Sequence, residues 1–568
     1  MSSYSRGHIC QCLSRILARR RDEALTICSE SGARRTGGMF VEGVLRLARG
    51  LVALGVRRGD VVAIAAYNSE WFIEWLLAVA LVGGVAAPLN YRWSDKETKD
   101  AVAAVEPVVL AVDEGCRRWA AELGDGSVPS IRWCVLMGES PRCLNGHDNG
   151  LDQYIIKKPV EDPSFDYIWA PEDIALICFT SGTTGKPKGV AISHMSLIIQ
   201  SYAKIAIVGY TEDDIYLHTA PLCHIGGISS CITMLMVGGC HVFQPKFDAN
   251  VSVRSIEEHQ VTSLITVPTM VAVLASFIGK ENEWAGAKSV RKVLNGGGGL
   301  SHDLICAAVR MFPCAKLISA YGMTEACSSL TFKTLHDPIS PKVGTASHKS
   351  YIATPGSPAH RVRGVCVGKP PLHVELCIRG SSTDNCGPEV GSILSRGAHL
   401  MVQYWSRVNV ETLDRRTSGW LDTGDTGWID GDGELWLVGR TNGRIKCGGE
   451  NVYPEEVEGV LLQHPGVSSV VVFGIPDAHF TERIAACVCV KEGWNWVDDG
   501  SAPSRERNQL SSHILQAHCR QRHLSRFKIP KIYMQWEKPF PCTTSGKLKR
   551  EEVRSKVISD LRSLHSSL

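Results

Sequence analysis

The 568-residue sequence holds 21 cysteines but no C-x-x-C pair, and it has no H-E-x-x-H. Neither a redox couple nor a zinc site is therefore indicated by spacing, and scattered thiols without a disulfide framework favour a reducing, intracellular setting. Charge is nearly balanced, with a formal net value of +3. That is too small an excess to argue for nucleic acid or an anionic membrane surface. Long apolar runs are also missing. The most apolar stretch, Trp75 to Leu89, is broken by Gly83, Gly84 and Pro88 and is too short to span a bilayer. There is no secretory signal and no Walker A loop. Residue 180 is Thr where that loop needs Gly, and Lys186 is followed by Pro187, which has no hydroxyl for magnesium, so a P-loop kinase or NTPase is excluded. Acidic residues are absent from positions 1–21, which carry Arg6, Arg15, Arg19, Arg20 and Arg21. Such a stretch suits organelle targeting. It equally suits a first amphipathic helix, with Ile9, Cys12, Leu13, Ile16 and Leu17 on one stripe.

What is present is an ordinary globular composition, 44% hydrophobic and 21% charged, on a chain long enough for two or more cores. Val41, Val44, Leu45, Leu47, Ala48 and Leu51 recur at helical spacing, and Gly55 should stop that helix before a strand at Val61–Ala65. Residues 75–82 read as a buried helix, 107–112 as a strand and 138–170 as a loop or linker. Residues 468–474 and 485–490 read as further strands, with Cys487 and Cys489 on one face. Helix and strand alternating in this way imply an α/β layer fold.

The chemistry begins at Thr180-Ser181-Gly182-Thr183-Thr184-Gly185-Lys186-Pro187-Lys188-Gly189, which follows the buried strand Ile174–Phe179. Glycines let backbone N–H groups converge on an anion, and the hydroxyls with Lys186 and Lys188 add donors and charge, so this is a phosphate cradle. Downstream, His224 stands between Pro221 and the pair Gly226-Gly227, a placement that fits a site wall at least as well as a packed core. The four glycines Gly296, Gly297, Gly298 and Gly299 remove every side chain from one surface, so a flat group can lie against bare backbone. Tyr321-Gly322-Met323-Thr324-Glu325 supplies an aromatic face, a hydroxyl and a carboxylate, the last suited to a hard divalent cation. Trp420-Leu421-Asp422-Thr423-Gly424-Asp425 and Gly439-Arg440 follow; an ionised Asp425 can accept from two vicinal hydroxyls at once. Arg444–Glu458 includes Lys446 and the pair Gly448-Gly449, with Pro454 opening a helix, and Gly546-Lys547 lies near the end.

In this order, over residues 40–555, these motifs are similar to those of the adenylate-forming superfamily, whose members include acyl-CoA synthetases, luciferases and peptide-synthetase adenylation domains. The resemblance implies an α/β N-terminal domain of several subdomains over residues 1–440 and a small mobile α+β C-terminal domain over 441–568, hinged at about 440–443. Asn442 stands where that hinge usually carries a charge. It also implies that ATP, Mg²⁺ and coenzyme A are used. The phosphate loop would hold the triphosphate, the glycine run would meet adenine, and Tyr321 would pack on it. Thr324 would bond the α-phosphate, Glu325 would ligate magnesium, and Asp425 with Arg440 would hold the ribose. Lys547 would bridge the substrate carboxylate and the α-phosphate during adenylation, His224 would gate the acyl pocket, and Lys446 with Gly448-Gly449 would enter the site in the thioester-forming state. A scaffold that keeps the fold without chemistry is disfavoured, because Lys547 and Glu325 are both retained.

Within the superfamily, Asn90–Ser94, Leu222–Gly227 and Tyr321–Leu330 look most like plant 2-succinylbenzoate-activating ligases of phylloquinone synthesis, so the resemblance implies a small aromatic carboxylic acid. Hydroxycinnamates and medium-chain or jasmonate-type acids stay open as alternatives. The terminal Ser566-Ser567-Leu568 resembles a peroxisomal address read by an import receptor, with Ser567 in place of the usual basic residue. Plastid import through the Arg-rich N-terminus stays open beside it.

Overall fold

The helical period at residues 41–51 belongs to a helix, Gly37–Ala53, whose N-cap Thr36 accepts a hydrogen bond from the Met39 N–H. Gly55, at φ +79°, turns the chain where a Cβ would be strained, and the wholly buried strand Val61–Ala65 follows as expected. The expected helix at 75–82 starts earlier, at Glu70, because Ser69 caps it through the Phe72 N–H. The next strand is shorter than expected, Val109–Val112.

In this computed structural model the described residues are 7–93, 95–124, 126–144, 167–181, 187–279, 284–340, 364–380, 390–405, 419–440, 443, 445–447, 450–477, 481–497, 508–522, 524, 526–543 and 548–565. Among them, no helix is long and apolar enough to cross a membrane. The chain divides into two compact units. One is Met1–His348 with Val367–Leu376 and Ser395–Leu421; the other is Lys349–Cys366 with Cys377–Leu394 and Asp422–Leu568.

Two eight-stranded sheets carry the first unit. One runs, edge to edge, Gln403–Tyr404, Pro187–Ser193, Ile174–Ser181, Val85–Pro88, Val61–Ala65, Val109–Val112, Trp133–Leu136 and Arg142–Cys143. The other runs Thr331–His336, Lys316–Tyr321, Lys292–Asn295, Ser263–Thr266, Ile215–His218, Cys240–Phe243, Ala24–Cys28 and Arg34–Thr36. The strands from Lys316–Tyr321 to Ile215–His218 are parallel neighbours, so the segments that leave their carboxyl ends emerge at one edge. That edge is where open α/β sheets hold ligands. The Arg-rich N-terminus forms the helix Gln11–Arg19, with Cys12, Leu13 and Ile16 buried. It joins the main core together with Ile9, as the amphipathic reading expects.

In the second unit, Leu421–Ile429 and Leu435–Arg440 form a hairpin, and Trp428 stacks on Trp436 with centroids 5.1 Å apart. A further sheet runs Glu450–Val452, Ile445–Cys447, Thr481–Val490, Val467–Asp477, with Ile532–Gln535 added parallel to Thr481–Val490. Pro454 does open a helix, Pro454–Leu461. The expected strands at 468–474 and 485–490 lie inside the long antiparallel pair Val467–Asp477 and Thr481–Val490.

Candidate active site

The strands that flank the expected phosphate loop pair with each other. Ile174–Ser181 pairs antiparallel with Pro187–Ser193, with Thr180 opposite Lys188 and Ser181 opposite Pro187. The apolar run Ile174–Phe179 is buried throughout, which anchors the first of the two strands. Gly189 is required there by packing, since a Cβ would stand 2.8 Å from Ile177 Cγ2 and 3.2 Å from Trp405 Cβ. Lys188 is exposed, and its ammonium lies 5.4 Å from the ring centroid of Tyr404. Gly182, Thr183, Thr184, Gly185 and Lys186 lie outside the described residues, as does the Ser181 side chain.

Tyr404 connects this hairpin to the carboxylate motif. Its hydroxyl donates to Glu325 Oε1 at 2.9 Å, and the Met401 N–H bonds the Glu325 carbonyl at 2.8 Å. Glu325 is buried in a single 3₁₀ turn, Thr324–Ala326, just beyond the strand Lys316–Tyr321. Gly322 makes the turn possible. A Cβ there would stand 1.6 Å from the Ser328 carbonyl oxygen. Cys327 and Ser328 have φ of +51° and +103°, backbone that non-glycine residues hold only when their surroundings enforce it. The enforcement is visible: Gln200 Nε2 donates to the Ala326 carbonyl at 3.1 Å and to the Ser329 carbonyl at 2.7 Å. Glu325 thus presents an oriented carboxylate, a donor type that a hard cation such as magnesium accepts together with phosphate oxygens.

The glycine run follows the strand Lys292–Asn295. Gly297 has φ +70°, and a Cβ at Gly296 or Gly299 would meet nothing within 4 Å, so open backbone is what this segment offers. Asn295 pins it by donating Nδ2 to the Gly298 carbonyl at 2.8 Å. His224 is the N-cap residue of the helix Ile225–Val237, and among the described residues its Nε2 has no hydrogen-bond partner. Burial, helped by the nearby Arg92 charge, lowers its pKa to about 4. His224 is therefore a neutral imidazole at working pH, able to line or polarise but not to supply positive charge. His224, Gly296–Gly299, Tyr321–Glu325 and the phosphate hairpin all belong to the first unit, and the first three lie at or beyond the ends of parallel strands of one sheet.

The second unit holds the remaining motifs. Asp425 is buried and sits opposite Arg440 in the hairpin. Its N–H bonds Thr423 Oγ1 at 3.2 Å, and that hydroxyl donates to the Ile393 carbonyl at 2.8 Å. Gly439 lets Tyr453 and Glu455 approach, with distances to an added Cβ of 3.2 and 2.7 Å. Arg550 ties Glu455 and Glu458 together at 3.2 and 2.7 Å. Gly448, Gly449, Lys547 and residues 441–442 lie outside the described residues, and so do the side chains of Arg440 and Lys446.

Tyr404 and Gln200 escaped the sequence reading, because nothing local marks a tyrosine 79 positions from its carboxylate partner. A buried trio of His218, Cys231 and His241, with ligand atoms within 4.8 Å of one another, escaped it too. Spacing rules look for near neighbours in the chain, whereas these residues come from two strands and a helix. His218 Nε2 and His241 Nδ1 already hydrogen-bond each other at 2.9 Å.

The AMP-binding enzyme family model matches residues 14–405, and the AMP-binding enzyme C-terminal domain model matches 456–547. The chain is 51% identical over 576 residues to the 2-succinylbenzoate–CoA ligase, chloroplastic/peroxisomal, of Arabidopsis thaliana, with 100% of each covered. It is 30% identical to the indoleacetate–CoA ligase of Aromatoleum aromaticum, covering 90% of this chain and 91% of that protein. Among solved structures, the o-succinylbenzoate CoA synthetase of Bacillus subtilis, in complex with the acyl-adenylate intermediate, superposes with a TM-score of 0.74 at 26% identity. The match covers 96% of this chain and 97% of that one.

Proposed function

The chain belongs to the AMP-binding enzyme family, and from that premise we propose that it ligates 2-succinylbenzoate to coenzyme A at the expense of ATP. The observation that carries the substrate reading is the 51% identity sustained over the whole length of a ligase named for that acid. In the first half-reaction the substrate carboxylate attacks the α-phosphate of ATP, giving acyl-adenylate and pyrophosphate. In the second, the CoA thiolate attacks the acyl carbon and AMP leaves.

The residues have distinct tasks. The phosphate hairpin from Thr180 to Lys188 binds the triphosphate through backbone and ammonium donors. Gly296–Gly298 leave room for the adenine, with Tyr321 as its aromatic face. Thr324 donates to the α-phosphate, and Asp425 accepts from the ribose hydroxyls, with Arg440 beside it. Glu325, oriented by Tyr404, would hold Mg²⁺, which when bound offsets phosphate charge. Lys547 contributes positive charge where it develops as the carboxylate reaches phosphorus. Residues 441–568 act as the mobile domain. Its turn about 440–443 withdraws Lys547 and brings Lys446 and Gly448-Gly449 to the site for thioester formation, a conformational step of the kind that often limits turnover.

Pyrophosphate exchange measured across a panel of aromatic acids tests the substrate. Exchange fastest with 2-succinylbenzoate supports the reading, and faster exchange with a hydroxycinnamate, a medium-chain or a jasmonate-type acid rejects it. We also propose peroxisomal delivery through Ser566-Ser567-Leu568, beside chloroplast import; the Arabidopsis relative carries both locations in its name. A fluorescent protein fused at the N-terminus should give puncta that disperse when residues 566–568 are deleted. Diffuse signal from the intact fusion would reject the peroxisomal route.

A further inference from the structure

Lys204 is a lysine where an apolar residue would be ordinary. It lies on the helix His194–Val208, is fully buried at 0% exposure, and packs that helix against Ile225–Val237. Its ammonium donates to Ser229 Oγ at 2.6 Å and to Ser230 Oγ at 3.2 Å. An ammonium has three donors and no acceptor, and among the described residues no carboxylate forms an ion pair with it. Burial lowers its pKa to about 7, with Cys327 as its electrostatic neighbour. A buried charge is normally paired or it is costly, and two serine hydroxyls do not neutralise a cation.

Its position explains what an anion could be doing there. Ser229 is four residues beyond Ile225, the first residue of its helix, roughly 6 Å of helical rise beneath the end that carries His224. Cys327 directly follows the Thr324–Ala326 turn that holds Glu325. One turn before Lys204 on the same helix, Gln200 grips that segment at Ala326 and Ser329. The ammonium thus lies between the helix headed by His224 and the Glu325 segment, just beneath the edge where the site residues emerge. At Gly226 an added Cβ would meet only Ile265 Cδ1, at 3.7 Å, so space opens at the helix end above it.

We propose that Lys204 receives the second carboxylate of a dicarboxylic substrate, the one that is not activated. Ser229 and Ser230 turn their hydroxyls to the same group, and the ion pair restores the full ammonium charge. The assignment rests on the reading of this chain as a 2-succinylbenzoate ligase and gives that specificity a residue.

The test compares 2-succinylbenzoate with two monoacids that each keep one of its carboxylates, 4-oxo-4-phenylbutanoate and 2-butanoylbenzoate. It uses full-length wild type, Lys204→Met and Lys204→Gln. Wild type should favour the diacid by about 100-fold in kcat/KM, the scale of a buried charge pair losing one partner. In both variants that preference should collapse through a rise in KM for the diacid, while turnover of the accepted monoacid stays within about threefold. Unchanged AMP affinity by calorimetry certifies that a variant is folded. A folded variant that keeps the preference, or loses diacid and monoacid activity equally, overturns the role of Lys204 alone. Wild type that activates monoacids but not the diacid overturns the substrate reading and this role with it.

Discussion

Gly322→Ala adds one methyl group at the tightest point of the candidate site. The new Cβ would stand 1.6 Å from the Ser328 oxygen, 2.6 Å from its carbonyl carbon and 2.8 Å from Ser329 Cα. All three are backbone atoms, so no side chain can swing away. The 327–329 segment must retreat by roughly 1.5 Å, an overpacking cost of about 1–3 kcal/mol. Retreat is resisted on both sides, by Gln200 on the Ala326 and Ser329 carbonyls and by the Leu330 N–H on the Tyr321 carbonyl at 2.7 Å. Part of the displacement therefore passes to Thr324 and Glu325. A misplacement of about 1 Å at reacting groups costs on the order of 100-fold in rate. Pyrophosphate exchange should fall by that factor, while the urea midpoint moves by no more than the overpacking cost. The matched control is Gly296→Ala, whose Cβ points into open space. It should leave stability alone yet raise KM for ATP about tenfold, equivalent to about 1.4 kcal/mol, because it covers the bare wall meant for adenine. Exchange at the wild-type rate in Gly322→Ala, or no change in ATP affinity in Gly296→Ala, would refute this account of the two glycine positions.

Lys547→Ala should reduce adenylate formation by about 10²–10³-fold and leave thioester formation from supplied acyl-AMP largely intact; equal loss of both half-reactions in a folded variant would reject its assigned role. Asp425→Ala should weaken ATP binding by about 2 kcal/mol, and calorimetry that finds unchanged affinity would reject the ribose contact. Tyr404→Phe removes the hydroxyl on Glu325 and should raise the magnesium concentration needed for half-maximal exchange by about tenfold, in line with a hydrogen bond to a charged group; an unchanged magnesium dependence would separate Tyr404 from metal binding. Burial lowers the pKa of His8 and His224 to about 4 and of His241 and His399 to about 3, from the ordinary 6.5. The unfolded chain therefore takes up protons first as pH falls below 6.5, and stability should drop between pH 6.5 and 4 by up to about 1.4 kcal/mol per pH unit for each histidine. Urea midpoints that do not fall between pH 7 and 5 would contradict their neutral burial.

The motif residues were legible in sequence because each loop follows a strand whose apolar run announces it. Ile174–Phe179 before the phosphate turn and Val293-Leu294 before the glycine run are buried strand residues, and both loops leave carboxyl ends, where an α/β sheet exposes backbone for binding. Pro454 at a helix start and Gly55 after a helix end were legible because their backbone geometry is nearly obligatory. Long-range partners were not legible. Tyr404 reaches Glu325 from the two-residue edge strand Gln403–Tyr404, too short to carry a period. Lys204 sits near the end of the helix His194–Val208, where a single lysine reads as a solvated residue until tertiary packing buries it. Helix starts were misjudged where a cap rather than a hydrophobic period sets them, as at Ser69.

One chain forms an acyl-adenylate from 2-succinylbenzoate and passes the acyl group to CoA. The most direct measurement is product analysis by mass spectrometry after incubating purified full-length protein with ATP, Mg²⁺, CoA and 2-succinylbenzoate. AMP, pyrophosphate and the 2-succinylbenzoyl thioester of CoA should form in equal amounts, with acyl-adenylate accumulating when CoA is left out. ADP with phosphate, or AMP released without any thioester, would contradict it.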